Sequence, residues 1–332
     1  MHLDSSFRIA VLFLGCLAPG CSGQTDGGEL ESSGGQDTRS PPVRSELSQG
    51  DTVPGHDSWT REDLAVVEAT VSWARGAGLD TIPLGDRVGR IGERFVGTAY
   101  VPQTLDPPGE ERLVVNLRAF DCVTFVESML TLAHVVGELG PSSAPPSSDL
   151  LMEEYERVLT AIRYRGGERT GYPSRLHYFS EWIADNEAKG FVRDLTGDLG
   201  GVLDPEPRRF MTEHRDAYWQ MADSSVFRSI AETETRLADE TRLMIPEGRV
   251  PEVEGEIRTG DIIAATSTLP GLDVAHTGIA LRRDGVLYLM HAPLVGEVVQ
   301  ISEKPLADRL LDLSAQDGIM VARPIAGAVA PD

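Results

Sequence analysis

The candidate chemistry of this sequence centres on a cysteine at the start of a predicted helix. Asp121, just before Cys122, is a residue typical of a helix N-cap. The unpaired N–H groups and the dipole at a helix N-terminus favour negative charge, which lowers the pKa of a thiol and supplies thiolate. The backbone N–H of Cys122 can also donate to an oxyanion forming on an attacked carbonyl. Cys122 is therefore a candidate nucleophile, although an apolar helical stripe is also where a buried core cysteine would lie.

Two histidines in the last third of the chain supply what such a nucleophile needs. His276 begins one β-rich run and His291 ends the next, with a hairpin signal around Asp284 and Gly285. This pairing predicts that the two imidazole rings lie near each other across the strands. His276 can then take the proton of the Cys122 thiol, while His291 fixes its tautomer and orientation.

The helices and strands that must position these residues are indicated by two different spacings of apolar residues along the chain. Apolar residues at helical spacing predict three helices, at 58–76, about 121–137 and 150–164. In the second helix they fall on one stripe, formed by Cys122, Val126, Met129, Ala133 and Val136. Short β-rich runs then follow residue 260. Helices followed by a meandering antiparallel sheet indicate an α+β domain, with a mostly helical insertion at about 141–250.

Composition narrows the class of protein. The chain has 332 residues with a net charge of -22 and a pI near 4.7, and 41% of its residues are hydrophobic. The apolar fraction is ordinary for a globular protein. The acidity argues against nucleic-acid binding and against a polybasic membrane-binding surface.

The N-terminus has the pattern of an export signal. Arg8 precedes a short apolar run, and small residues precede Cys21 in a way that resembles the lipobox of bacterial lipoproteins. We therefore expect a signal peptide at 1–21 with Cys21 as the lipidated residue, a disordered linker at 22–55, and the folded domain at 56–332. The expected location is the cell envelope, on the periplasmic side of a membrane that only the lipid anchor touches. An ordinary secretory signal remains the alternative.

Processing of the export signal would reduce the number of free cysteines in the mature chain. If cleavage removes Cys16 and lipidation consumes Cys21, Cys122 is the only free thiol of the mature chain. A lone thiol in an oxidising compartment is a liability unless it is buried and inert or is used. Ser22, after the lipidated position, favours sorting to the outer membrane.

A series of motifs in the folded part is shared with one group of bacterial enzymes. The motifs are DCVTFVE, TGDIIA, HTGIAL, a strand ending in HAP, FVGTAYVPQTL, and YRGGERTGYPSRLHYFSEWIADN. Together they resemble the NlpC superfamily of papain-like cell-wall cysteine hydrolases, and more closely its N-acetylmuramoyl-L-alanine amidase-like branch. The resemblance covers roughly residues 85–325.

The resemblance implies a papain-like (NlpC-type) core, with the nucleophile helix packed on an antiparallel sheet. It implies a thiol amidase that acts on peptidoglycan or its muropeptide fragments and needs no cofactor. Carried over residue by residue, Cys122 is the nucleophile, His276 the general base and later acid, and His291 its orienting partner. Tyr100 matches a tyrosine that faces the nucleophile and donates to the oxyanion, although Ala99 stands where the family more often has proline.

Four further residues are candidates for substrate binding. Arg175 suits bidentate contact with the carboxylates of a stem peptide, and His177 lies beside it in the same motif. Tyr164 and Tyr178 are expected to line the cleft. The alternative is structural: Arg175 and His177 cap a helix or pair with acids such as Asp185, and the tyrosines pack.

Three other functions stay open at this point. A γ-D-glutamyl-diamino acid endopeptidase would use the same three residues on another bond. A non-catalytic cell-wall-binding lipoprotein would keep the fold without the activity. A metal-dependent amidase would need a zinc site from His276, His291 and Asp273, but no HxxxH or CxxC spacing supports one.

Overall fold

The computed structural model describes residues 58–139 and 147–327. The expected signal peptide at 1–21, its lipidated Cys21, and the linker at 22–55 lie outside the described residues. Within the two described ranges, no helix is long and apolar enough to cross a membrane.

The helices of the described ranges confirm the three that apolar spacing predicts, with small shifts at their ends. In chain order they are Arg61–Gly76 (α1), Leu84–Arg94 (α2), Cys122–Glu138 (α3), Ser148–Arg163 (α4), Phe179–Ala188 (α5), Phe210–Glu213 (α6), Ser224–Ala238 (α7), Val250–Val253 (α8) and Leu306–Leu311 (α9). Reciprocal capping boxes start α1, between Thr60 and Asp63, and α3, between Asp121 and Thr124. Asp121 is therefore the N-cap that the sequence predicts.

The strands of the same ranges form one large sheet and one small one. They are Ala99–Tyr100 (β1), Ala119–Phe120 (β2), Val192–Asp194 (β3), Val202–Leu203 (β4), Leu243–Pro246 (β5), Ile262–Ser267 (β6), Val274–Arg283 (β7), Val286–His291 (β8), Gln300–Ile301 (β9) and Gln316–Pro324 (β10). The large sheet is antiparallel in the order β4-β5-β10-β6-β7-β8-β9, and β3 also pairs with β10. β1 and β2 pair in parallel. Helices with an antiparallel sheet agree with the predicted α+β class.

The hairpin between β7 and β8 carries both candidate histidines. Its ladder pairs Arg283 with Val286, so Asp284 and Gly285 form a two-residue turn. Both have positive φ, 50° and 83°, which is the pattern of a type I′ turn. The predicted hairpin is confirmed, and its register fixes the positions of the residues at its far end.

The large sheet is covered on both faces, because its strands alternate between two cores. Ile279 and Leu281 of β7 belong to the core that contains apolar residues of α1 to α5. Ala280, between them, belongs to the core on the other face with Leu306 and Leu310 of α9. The molecule therefore has a helical layer on one face of the sheet and a thinner cover on the other.

α3 lies at the centre of the helical layer. Every residue from Thr124 to Val136 is buried, including the polar ones. The Arg163 side chain pairs with Glu127 at 2.7 Å from Nε to Oε2, and Trp182 Nε1 donates to the other oxygen at 3.3 Å. The predicted apolar positions Val126, Met129, Ala133 and Val136 are buried, but the burial extends to the whole circumference of the helix, and Glu127 is paired inside the protein.

The predicted insertion at about 141–250 is partly built into the main body. Its helices α4 and α5 pack in the same core as α3, and its strands β3 and β5 pair with β10. A smaller core of its own is formed by Tyr172, Tyr178, Phe210, Met211, Met221, Ile230 and Leu237. The described part of the segment thus contains strands as well as helices and shares the core of the domain.

Candidate active site

Cys122 is the first residue of α3, which begins two residues after the end of β2. The Asp121 carboxylate accepts from Thr124 N–H at 2.8 Å, and the Thr124 hydroxyl accepts from Asp121 N–H at 2.9 Å. Cys122 is half-buried and forms no disulfide. Burial raises the pKa of Asp121, and the hydrogen bonds from Thr124 oppose that rise. The thiol therefore lies at a rigidly capped helix start, where the helix dipole favours thiolate.

β7 contacts the start of α3 directly. The Thr277 hydroxyl donates to the Cys122 carbonyl oxygen at 2.8 Å. His276 is the residue before Thr277 on β7 and is 3% exposed. The pairing of β7 with β6 shifts register between Val274 and His276, so β7 has an extra residue, Ala275, at this point. Such bulges bend a strand and re-aim its side chains, and this one lies immediately before His276.

His276 and His291 form a hydrogen-bonded pair. Nε2 of His276 lies 2.6 Å from Nδ1 of His291, and the ring planes are 84° apart. This contact confirms the prediction that the two rings meet across the hairpin. His291 is also 3% exposed.

The burial of the histidine pair sets its charge. Burial, followed by the neighbouring His291 and Arg309, lowers the pKa of His276 well below its ordinary value. Burial and then Arg309 lower the pKa of His291 to about 3. Both rings are therefore neutral at pH 7, and a neutral imidazole is the form that can accept a proton.

Tyr100 lies on the strand beside the one that leads into Cys122. Tyr100 pairs with Phe120, two residues before the cysteine. Its N–H donates to the Glu297 carbonyl at 2.7 Å, in the loop that follows His291. The β1 strand is thus held between the chain before Cys122 and the chain after His291. Tyr100 is half-buried, and its role as an oxyanion donor stays a prediction.

Arg175 is neutralised inside the protein. Its Nη2 pairs with Asp106 at 2.6 Å and its Nη1 donates to the Leu105 carbonyl at 2.8 Å. Its Nε lies 3.8 Å from Glu111, and its guanidinium lies over the Tyr172 ring at 4.8 Å. Arg175 is 6% exposed. The acidic partner of Arg175 is therefore Asp106. Asp185, which the sequence suggests as an example of such a partner, pairs with Lys189 instead.

The other three candidate binding residues make internal contacts. Nε2 of His177 is hydrogen-bonded to the Tyr172 carbonyl at 2.9 Å, and burial lowers its pKa to about 3. The Tyr178 hydroxyl donates to Glu234 at 2.7 Å and accepts from Met211 N–H at 3.1 Å.

Tyr164 is likewise held from within, because its hydroxyl donates to Glu111 at 2.8 Å. These contacts hold the loops around Arg175 in place, and the substrate-binding roles of Tyr164, Arg175, His177 and Tyr178 stay predictions.

Asp273 does not join the histidine pair. Its two oxygens accept from the N–H groups of Ser180 and Val274, at 2.7 and 2.8 Å. It therefore caps the start of α5 and ties that helix to the beginning of β7. Within the described ranges, no three His, Cys, Asp or Glu side chains are arranged to hold a metal ion.

Two residues of this site were missed by sequence reasoning. Thr277 joins β7 to α3, but in the sequence it is only one of several β-branched residues in a strand. Gly278 lies where a Cβ would be 2.8 Å from the Met290 carbonyl oxygen and 3.0 Å from the His291 Cβ. The HTG triplet carries both residues, but their contacts depend on long-range packing that local patterns do not report.

The fold and site together define a class: an α+β domain with a cysteine at the start of a buried helix and a histidine pair on the adjoining hairpin. The chain matches the AmiA-like family model, described as N-acetylmuramoyl-L-alanine amidase-like, over residues 90–316. The chain belongs to this family. No protein with curated function matches it.

Solved structures agree with this family. The chain is 33% identical to an N-acetylmuramoyl-L-alanine amidase from Bacteroides uniformis ATCC 8492, with a TM-score of 0.66, over 73% of this chain and 99% of that one. A second crystal structure with the same description gives a TM-score of 0.67 at the same identity and coverage. A Legionella pneumophila protein is 21% identical over 80% of this chain and 95% of its own, with a TM-score of 0.56, which shows a shared fold alone.

Proposed function

We propose that this protein is a thiol-dependent amidohydrolase that cleaves the amide between N-acetylmuramic acid and L-alanine in peptidoglycan or its fragments. The observation that carries the proposal is the hydrogen bond between His276 and His291, on the hairpin whose Thr277 contacts Cys122. A cysteine at a helix start beside a hydrogen-bonded histidine pair has the composition of a Cys–His–polar triad. Family membership supports the choice of bond. A papain-like, NlpC-type origin of the fold is part of this proposal.

The first half of the reaction forms a thioester. Nε2 of His276 is hydrogen-bonded to His291, so Nδ1 of His276 is the nitrogen that accepts the thiol proton. Nδ1 takes that proton as the Cys122 sulfur attacks the lactyl carbonyl carbon. The oxyanion accepts hydrogen bonds from the N-terminal N–H of α3 and from Tyr100. When the C–N bond breaks, imidazolium His276 gives its proton to the leaving amine of L-alanine.

The second half regenerates the thiol. Neutral His276 takes a proton from water as its oxygen attacks the thioester carbonyl. The C–S bond then breaks, the proton returns to the Cys122 sulfur, and the muramic acid leaves with a free lactyl carboxyl group. His291 stays hydrogen-bonded to His276 throughout and keeps its ring oriented in each half.

Defined muropeptides test the bond that is cut. The purified chain is incubated with N-acetylmuramoyl-L-alanyl-γ-D-glutamyl-diaminopimelate, and the products are separated and read by mass spectrometry. N-acetylmuramic acid and the intact peptide support the proposal. A cut after D-glutamate identifies a γ-D-glutamyl-diamino acid endopeptidase, and an absence of products from glycan-linked and free fragments alike favours a wall-binding protein.

We place this activity on the outer side of a cell membrane, with the chain anchored by lipid at Cys21. The support is the export pattern of residues 1–21 and the polar linker at 22–55. Metabolic labelling with a fatty acid is expected to mark the full chain and to leave a Cys21→Ala chain unmarked. Equal labelling of both chains, or of neither, would exclude lipidation at this cysteine.

A further inference from the structure

A cleft of about 570 Å³ lies among the loops that Arg175 holds together, and none of its lining residues is used by the mechanism. Three segments form its walls: residues 105–112, residues 169–172 and residues 219–226. This volume falls within the roughly 300–1,000 Å³ typical of small-molecule sites. The cleft is therefore large enough to hold a sugar ring and its substituents.

Trp219 provides an aromatic surface on one wall of the cleft. It is 50% exposed and is the only aromatic among the large exposed apolar side chains of the described ranges. Its neighbours hold it in place: the Gln220 amide donates to Asp106 at 2.8 Å, and Met221 is fully buried. A half-exposed indole on an anchored chain segment is suited to stacking against a flat apolar ligand surface.

Two chain segments connect the catalytic residues with this cleft. The segment after Tyr100 leads into the wall at 105–112, before the chain returns to Cys122. The segment after Tyr172, a lining residue, leads to Ser180, which is hydrogen-bonded to the Asp273 side chain three residues before His276.

Arg175 joins these two segments. It lies on the second of them and donates to Leu105 and Asp106 of the first. The cleft is therefore walled by the chain segment that follows Tyr100 and by the segment that leads to Ser180, which Asp273 ties to the start of β7.

The charges of the lining do not favour a polyanion. Acidic residues are Glu110, Glu111 and Asp223, and basic residues are Arg112 and Arg169. Because Glu111 also lies near Arg175, the lining is close to neutral and lacks the positive charge that would attract the carboxylate-rich part of a stem peptide. The remaining polar groups suit a neutral ligand with hydroxyl and amide groups.

We propose that the cleft binds the amino-sugar part of the substrate, with an N-acetylated hexosamine ring stacked on Trp219. This inference deepens the proposed function and rests on it for the identity of the sugar. The muramoyl ring is bonded through its lactyl group to the scissile carbonyl, so a sugar subsite must adjoin the nucleophile. A pyranose presents an apolar C–H face to the indole and its hydroxyl and acetamido groups to the rim.

Saccharide binding without catalysis tests the site directly. N,N′-diacetylchitobiose is titrated into the Cys122→Ala chain, and its dissociation constant is measured by ligand-observed NMR. We expect saturable binding that Trp219→Ala weakens on the order of tenfold and Trp219→Phe largely keeps, because the ring surface remains. Leu311→Ala, at a similarly exposed position on α9, is the matched control and should bind as tightly as its parent.

Kinetics separate this inference from the proposed function. For the Trp219→Ala enzyme, KM should rise for N-acetylmuramoyl-L-alanyl-D-isoglutamine and stay unchanged for D-lactyl-L-alanyl-D-isoglutamine, which keeps the amide and lacks the sugar. Absence of saturable saccharide binding, or equal affinity in the Trp219→Ala chain, overturns the inference. Saccharide binding in a chain that hydrolyses neither compound keeps the subsite and removes the amidase.

Discussion

Nε2 of His276 lies 2.6 Å from Nδ1 of His291, with the two rings edge to face. The hairpin ladder pairs Ile279 with Met290. His291 follows Met290 directly and His276 lies three residues before Ile279, so the two histidines lie on the same face of the sheet. The type I′ turn at Asp284 and Gly285 fixes that register from the opposite end. The relationship orients the base of the proposed reaction, and it is the basis of the first two predictions.

Removal of the His291 ring should lower kcat much more than it changes KM. In a His291→Ala enzyme, Nε2 of His276 loses its hydrogen-bond partner, so the orientation of the His276 ring is less fixed. We expect a fall in kcat of about 10–100-fold, measured by release of N-acetylmuramic acid under saturating substrate. His291→Asn, whose side-chain oxygen can accept the same hydrogen bond, should recover part of the loss. A His291→Ala enzyme with full kcat would contradict the orienting role.

The buried pair should also make stability depend on pH. Below pH 6.5 the histidines of the unfolded chain bind protons, while His291 stays neutral in the folded chain because burial lowers its pKa to about 3. The unfolded state then binds more protons than the folded state. The contribution of His291 to the free energy of unfolding is therefore fully present above pH 6.5 and is lost as the pH is lowered towards 3. From pH 7 to pH 5, His291 alone should cost about 2 kcal/mol.

Urea unfolding at the two pH values measures this effect. A His291→Asn chain should lose about 2 kcal/mol less than its parent between pH 7 and pH 5, because asparagine does not titrate. Identical losses in the two chains would mean that His291 is not held neutral by the fold.

A methyl group at Gly278 should disturb the strand that carries His291. A Cβ at this position would lie 2.8 Å from the Met290 carbonyl oxygen, which is backbone and cannot rotate away. We expect Gly278→Ala to cost about 1–3 kcal/mol of stability and to lower kcat, since β8 must shift. Gly255→Ala is the matched control, because a Cβ there has no atom within 4 Å and both properties should be unchanged. Normal kcat in Gly278→Ala would show that the pair tolerates movement of β8.

Arg175 should act on stability through its acidic partners. Arg175→Met leaves Asp106 and Glu111 without their cation, so we expect a loss of about 2–4 kcal/mol in the free energy of unfolding. Asp106→Asn in the same chain should recover part of that loss. Arg193→Met, which breaks an exposed pair with Asp198, should change stability by only about 0–1 kcal/mol. A stable Arg175→Met chain with a raised KM would instead assign the guanidinium to substrate carboxylates.

Local patterns were sufficient to predict the elements that carry the site. The N-cap Asp121, the helix that follows it and the hairpin at Asp284 and Gly285 each depend on a few neighbouring residues. The meeting of His276 with His291 then follows from strand pairing, because a tight turn fixes which residues face each other. These features were accessible from the sequence because they are local or one hairpin away.

Contacts over long sequence distances were not accessible in the same way. The partner of Arg175 is Asp106, 69 residues away, and nothing in either stretch identifies the other. The burial of α3 on every side depends on Arg163 reaching Glu127 from another helix. The cleft with Trp219 is formed by three separate segments, so no single motif indicates it.

The most direct test of the central claim is the rate of N-acetylmuramoyl-L-alanine hydrolysis in the Cys122→Ala chain. The parent is expected to release N-acetylmuramic acid, and the variant, folded to the same melting temperature, to release none above the uncatalysed rate. Iodoacetamide should inactivate the parent, and a chelator should leave it active. Hydrolysis that survives Cys122→Ala and iodoacetamide but stops with a chelator would contradict the thiol mechanism.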